Sequence, residues 1–213
     1  MIIDDHFAKE LALQLLKINA VVLRPDEPFV WASGWRAPIY CDNRLTLNYP
    51  EIRTQIAERF TQFIEQNFPD VDVVTGTATA GIPHAAWVAD RLNKPMAYVR
   101  SKAKSYGMGN QIEGGVKKGE STIIIEDLVS TGGSVLSVAD VLKFIDADIS
   151  AILSIFTYGF DQAHQNIKDA GLSYYTLTDY PTLINVALEN NYISEEVLDT
   201  LNDWRSHPDS WPN

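Results

Sequence analysis

At 213 residues the chain can bury the core of one α/β domain with an appendage, and its 46% hydrophobic and 21% charged residues are ordinary globular values. A net charge of −11 argues against nucleic acid or an anionic membrane as the main partner. No run approaches the ~18 apolar residues of a membrane span, MIIDDHFAKE has no signal-peptide pattern, and the single Cys41 excludes an internal disulfide framework and a multi-cysteine zinc site. A soluble, cytoplasmic protein is expected, with Cys41 as a small buried hydrophobe.

Phe7, Leu11, Leu15 and Ile18 recur at helical spacing and predict a packing helix over 7–18. After Arg24-Pro25, the stretch FVWASGWRAPIYCDNR over 29–44 follows neither helical nor strand periodicity throughout, and Ser33-Gly34 and Pro38 punctuate it. Composition leaves two readings open. One is a packed connector; the other is a surface for a flat base, with rings and the Arg36 guanidinium to stack on.

A second helix is predicted from Pro50 to about Asn67, with Pro in the first turn and Ile52, Ile56, Phe60, Phe63 and Ile64 on one face. Val71–Thr75 reads as a strand running into a loop of small residues, Gly76-Thr77-Ala78-Thr79-Ala80-Gly81, before a helical pattern resumes at Ile82-Pro83. Small side chains let main-chain N–H groups approach an anion closely, and a tight βα turn shaped for packing is the alternative. PMAYVR over 95–100 is a short strand. Arg100 then opens a long loop, 101–118, carrying Lys102, Lys104, Lys117 and Lys118. Loops beyond ~12–15 residues are usually functional or disordered, so these cations either close over an anionic ligand or form a solvated basic loop.

The next stretch, STIIIEDLVSTGGS over 121–134, organises the rest. Thr122-Ile123-Ile124-Ile125 is a β-branched run suited to a strand buried on both faces. Glu126 and Asp127 close that strand, and such acids need polar partners at an open carboxyl edge. Ser130-Thr131-Gly132-Gly133-Ser134 brings hydroxyls and two residues without Cβ to the start of a helix, the arrangement that turns several N–H groups onto one phosphate. Carboxylates repel phosphate, so the acids suit neutral hydroxyls while the turn suits phosphate. A phosphorylated ribose offers both. The bland alternative is a strand-turn-helix junction capped by Ser134.

Beyond it, a helix is predicted over 135–146, a buried strand over 149–157, a helix over 160–170, a strand over 172–177, and two helical patterns between Asp179 and Trp204 before a loose, proline-containing end. Alternating strands and helices imply a parallel sheet with helices on both faces, so the loops at 76–81, 101–118 and 126–134 converge at its carboxyl edge. No Walker A, GxGxxG or HExxH sequence is present.

EDLVSTGGS resembles the ribose-5-phosphate and PRPP (phosphoribosyl pyrophosphate) signature of the type I phosphoribosyltransferases. F-x-x-x-S-G-x-x-x-P-x-Y-x-D-x-R resembles the base-covering N-terminal segment of the orotate phosphoribosyltransferases, GTATAGIP the pyrophosphate-side loop, and YVRSKAKSYGMGNQIEG the family's mobile catalytic loop. The resemblance implies a parallel twisted sheet flanked by helices, with a small N-terminal hood over 1–48 and a core over 49–213. It implies transfer of the phosphoribosyl group of PRPP to orotate in pyrimidine synthesis, with Mg²⁺ delivered by PRPP, and a homodimer sharing the loop across its interface. The PRPP residues carried over are Arg100, Lys104, Tyr106, Glu126, Asp127, Leu128, Val129, Ser130, Thr131, Gly132, Gly133 and Ser134. Thr77, Ala78, Thr79, Ala80 and Gly81 are implied as the pyrophosphate loop, Ser33, Gly34, Arg36 and Ser130 as orotate contacts, and Lys104 and Asp127 as catalytic.

The chain departs from the pattern at Tyr106, where the family commonly has His, and at Ser101, where some members have lysine. No arginine lies just after the strand ending in Phe156-Thr157-Tyr158, where some members place an orotate-binding one. A transferase for another base shares the central motif but not the paired signatures at 29–44 and 100–114. A PRPP-sensing regulator would want a DNA-binding module that this acidic chain lacks.

Overall fold

The computed structural model describes residues 1–101 and 111–211. Asp4 caps the first helix, α1 (Asp5–Lys17), its carboxylate accepting from the His6 and Phe7 amides at 3.0 Å each. Short strands follow, β1 (Val21–Leu23), β2 (Phe29–Val30), β3 (Arg36–Ala37) and β4 (Ile39–Cys41), paired as two small antiparallel ribbons, β1 with β4 and β2 with β3. Helix α2 (Pro50–Asn67) has the limits expected from its proline and its apolar face.

The core alternates β5 (Val73–Thr77), α3 (Gly81–Leu92), β6 (Met96–Val99), β7 (Ile112–Glu113), β8 (Ser121–Val129), α4 (Gly133–Phe144), β9 (Asp148–Thr157), α5 (Asp161–Asp169), β10 (Tyr174–Asp179), α6 (Tyr180–Glu189) and α7 (Leu198–Ser206). The strands form one sheet in the order β10-β9-β8-β5-β6-β7, parallel except for β7 at its edge.

The isoleucine run of β8 feeds both faces. Ile123 and Ile125 enter the larger core with α1, α2, α3 and α6, while Ile124 packs with α4 and α5, and all three are fully buried. Burial of each contributes about 1.5–3 kcal/mol. The first helix belongs to this layering: Phe7, Leu11 and Leu15 pack in the larger core, and Ile2 bridges to Thr176 beside β10.

Several expectations need correction. Glu126 and Asp127 do not close β8, because β9 keeps pairing as far as Leu128 with Phe156 and Val129 with Thr157. The strand expected at 71–75 sits two residues later. Gly76 and Thr77 pair with Tyr98 and Val99, so Thr77 belongs to a strand and not to the loop. The loop over 101–118 is not structureless where described, since Ile112 and Glu113 return to pair with Val99 and Tyr98. Helix α4 starts at Gly133 behind Gly132 at φ +86, a left-handed conformation that glycine adopts without strain, so Ser134 is not the cap. The loose end is also wrong as far as Trp211, which is buried against the core.

Candidate active site

The acid pair lies where β8 outruns β5. The last β5 partner is Gly76, opposite Ile125; beyond it β5 turns away through Ala78-Thr79-Ala80, whose Ala78–Thr79 peptide is cis. Helix α3 begins directly behind this turn, and Gly81 lies so close to β8 that a Cβ there would overlap the Ile125 carbonyl oxygen. Only glycine allows that approach, which sets the small-residue loop beside the acids.

Glu126 is 4% exposed and Asp127 half-buried, and the Asp127 amide donates to Glu126 Oε1 at 3.0 Å. Burial, followed by the adjacent Asp127 charge, pushes the Glu126 carboxyl well above its usual range; burial also raises Asp127, less strongly. Both carboxyls are thus pushed toward their neutral forms, and two acids this close resist carrying two charges together.

Three clefts meet here. Glu126, Asp127, Leu128, Ala78, Thr79 and Ala80 wall a space of about 400 Å³ together with Asp42 and Arg44. A second, of about 130 Å³, lies between Thr77, Ala78, Arg100 and Gln111. The third, also about 130 Å³, is the turn Ser130-Thr131-Gly132-Gly133 with Leu128 and Val129 at its entrance. Ser134 walls all three.

Two features suit these clefts to anions. Helices α3 and α4 both start without a side-chain cap, leaving first-turn N–H groups for an outside acceptor. In the second cleft the Thr77 hydroxyl and Arg100 Nη1 are buried without a hydrogen-bond partner, and Arg100 Nη1 is 3.7 Å from Glu113 Oε1. Among the described residues no three His, Cys, Asp or Glu side chains form a metal cage. Two adjacent carboxylates are the donor set that suits a Mg²⁺ ion held largely by substrate oxygens.

The structure thus brings together Thr77, Ala78, Thr79, Ala80, Arg100 and Glu126 through Ser134, with Gly81 supporting them from behind. Lys104 and Tyr106 lie outside the described residues. Ser33, Gly34 and Arg36 occupy the exposed β2–β3 hairpin and do not wall these three clefts. That hairpin is pinned beside the end of β9: Trp31 packs 4.9 Å from Tyr158, and Trp204 Nε1 donates to the Arg36 carbonyl at 3.2 Å. The two hood tryptophans are thereby engaged in protein packing, as Trp35 also meets Phe160. No arginine lies directly after β9, yet Arg205 reaches back from α7 and donates to the Gly159 carbonyl at 3.2 Å.

Sequence reasoning did not single out Asp42, Asn43 or Arg44, although the D-x-R spacing at the end of the hood pattern contained them. Arg44 makes a two-pronged pair with Asp42, at 2.6 and 2.7 Å, which sets a cation at the cleft that Asp127 also walls. Cys41 is buried, as expected, and its thiol is raised by burial. His84, on α3, is buried with Nδ1 unpartnered and Trp87 edge-on at 5.5 Å; burial lowers it to about 4.

This sheet carries a glycine-containing turn after β8 and a small-residue loop after its neighbour β5, and the phosphoribosyl transferase domain model matches residues 47–174. An orotate phosphoribosyltransferase of Halalkalibacterium halodurans is 55% identical, covering 95% of this chain and 98% of the relative. One of Listeria monocytogenes serotype 4b is 53% identical, covering 95% and 97%. The crystal structure of the Aeropyrum pernix orotate phosphoribosyltransferase superposes with a TM-score of 0.74 at 27% identity, covering 86% of this chain and 99% of that one. The chain belongs to the orotate phosphoribosyltransferase family.

Proposed function

We propose that this chain transfers the phosphoribosyl group of PRPP to orotate, releasing pyrophosphate and forming orotidine 5′-monophosphate for pyrimidine synthesis, with the following division of labour. The observation that carries it is the meeting at Ser134 of a carboxylate cleft and two uncapped helix starts, in a chain 53–55% identical to orotate phosphoribosyltransferases. The turn from Ser130 into the start of α4 at Ser134 holds the 5′-phosphate, and its main-chain N–H groups supply a charge-complementary cradle without a cation. Glu126 and Asp127 hold the ribose hydroxyls. A proton shared by the pair lets it both donate to and accept from those hydroxyls, and its remaining negative charge favours positive charge on the sugar as the bond to pyrophosphate stretches.

Thr77–Gly81 and Arg100 receive the leaving pyrophosphate. Lys104 approaches from the loop that follows Arg100 and neutralises developing charge, with Tyr106 as a hydrogen-bond donor to a phosphate oxygen. Mg²⁺ delivered with PRPP would be held mainly by substrate oxygens beside Asp127 and would supply charge neutralisation of the pyrophosphate. Orotate lies between Ser130 and the hood residues Ser33, Gly34 and Arg36, where an anionic base meets donors. In this reading the hood is 1–48 and the catalytic core 49–213. The working form is a cytoplasmic homodimer in which each loop serves its neighbour.

Substituting Lys104→Ala tests the scheme. We expect kcat to fall by about 10² or more, with thermal melting unchanged. Mixing Lys104→Ala with Asp127→Asn subunits restores part of the activity, because one site of each mixed dimer then has both groups. Near-normal kcat in Lys104→Ala refutes the role of the lysine, and mixtures that stay as inactive as their components refute the shared loop.

A further inference from the structure

One fully buried polar side chain has no part in the scheme above. Asn43 lies just past the hood ribbon and is 0% exposed, yet it reaches 84 residues along the chain to the acid strand. Its Nδ2 donates to the Asp127 carbonyl at 2.7 Å. Its Oδ1 accepts the Cys41 thiol at 3.5 Å, and its own carbonyl accepts the Thr46 hydroxyl at 2.6 Å. The orientation of the amide is dictated by chemistry, since a carbonyl can only accept and a protonated thiol can donate.

Strand pairing explains why the contact exists. β5 pairs with β8 no further than Ile125, while β9 pairs with Glu126, Leu128 and Val129 and passes over Asp127. Asp127 is therefore at a point where the ladder has ended on one side. Its N–H is taken by the Glu126 carboxyl and its C=O by Asn43. Side chains thus hold the backbone on both flanks of the Asp127 Cα, and one of them follows the N-terminal ribbon.

We infer that Asn43 is a positioning residue that clamps the Asp127 peptide at the open edge of β8 and so fixes the direction in which the Asp127 carboxylate meets the ribose. This rests on the reading of Asp127 as a ribose-facing acid. Asn43 touches no reacting atom; its effect on rate passes through Asp127. The clamp also joins the hood to the chemistry, because Asn43 is held in turn by Cys41 of β4 and by Thr46.

The test is a double-mutant cycle read in pyrophosphate release, with KM for orotate and PRPP measured alongside. Asn43→Leu keeps the approximate shape and removes the donor. Asn43→Ala, smaller, serves the same cycle should Asn43→Leu not fold. We expect the Asn43 variant to lower kcat about 10- to 100-fold, as a misdirected catalytic group does, with KM for orotate within twofold. In an Asp127→Asn background the same change costs less than twofold, because the group it positions has already lost its charge. Equal losses in both backgrounds would show that Asn43 acts as a general structural tether and overturn the inference. A variant that keeps wild-type kcat overturns it as well, while Asp127→Asn still loses rate. Unchanged kcat in Asp127→Asn alone refutes the underlying reading of the acid instead.

Discussion

Gly81 joins the small-residue loop, proposed to receive pyrophosphate, to the acid strand, and Gly81→Ala perturbs that joint. The added Cβ would overlap the Ile125 carbonyl oxygen and lie 3.3 Å from its carbon and 3.5 Å from Glu126 Cα. All three neighbours are backbone, so no side chain can swing aside. To regain ordinary contact distance the start of α3 must retreat from β8 by on the order of 1 Å. Forcing such an overlap costs about 1–3 kcal/mol, partly offset by the better helix propensity of alanine, worth up to about 1 kcal/mol. A net loss of about 1–2 kcal/mol lowers Tm by about 2–8 °C in a chain of this size. The same 1 Å carries Thr79 and Ala80 away from Glu126 and Asp127, and misplacement on that scale costs about 10² in rate. Differential scanning calorimetry and a pyrophosphate-release assay read the two effects. Gly133→Ala is the control for stability, because a Cβ there meets nothing within 4 Å. If Gly81→Ala melts within 1 °C of wild type and turns over within twofold, the idea that close approach of α3 to β8 builds the site is wrong.

Two further predictions follow from buried titratable groups. His84 has a folded pKa lowered to about 4 against an ordinary 6.5, so its contribution is complete above pH 6.5 and is lost as pH falls toward 4. At about 1.36 kcal/mol per pH unit the full effect is about 3 kcal/mol, of which about 2 is gone by pH 5. Urea unfolding at pH 7 and pH 5 should show that much extra acid sensitivity in wild type relative to His84→Gln, and equal sensitivity would contradict the burial argument. Glu126 is displaced the other way: its stability contribution is complete below the unfolded carboxyl value, near 4.3, and declines as pH rises toward its raised folded value. Glu126→Gln, which keeps an acceptor for the Asp127 amide, should therefore stabilise the unliganded protein at pH 7.5 by about 1–3 kcal/mol while lowering turnover. A variant less stable than wild type would refute the assignment of strain to the buried acid.

The sequence was most legible where local rules suffice. Helix α2 runs from Pro50 to Asn67 as expected because a first-turn proline and a regular apolar face are both local signals. The triple isoleucine of β8 was readable as doubly buried, since no solvent-facing strand carries such a run. Legibility failed where pairing is set by distant segments. The extension of β8 through the acids depends on β9 continuing beside it, and β7 exists only because Val99 and Tyr98 offer an edge. In the hood, aromatic composition could not separate base-stacking rings from core packing. The partners of Trp31 and Trp35 lie at Tyr158, Phe160 and Trp204, more than a hundred residues away. Asn43 escaped notice for the same reason, as its significance resides in a bond to Asp127.

The most direct test of the central claim is pyrophosphate release from PRPP and Mg²⁺ with orotate, uracil, hypoxanthine and adenine compared side by side. The account predicts turnover with orotate and release near background with the other three bases. Turnover with another base at a rate matching or exceeding orotate, or silence with all four from a protein that binds PRPP, would contradict it.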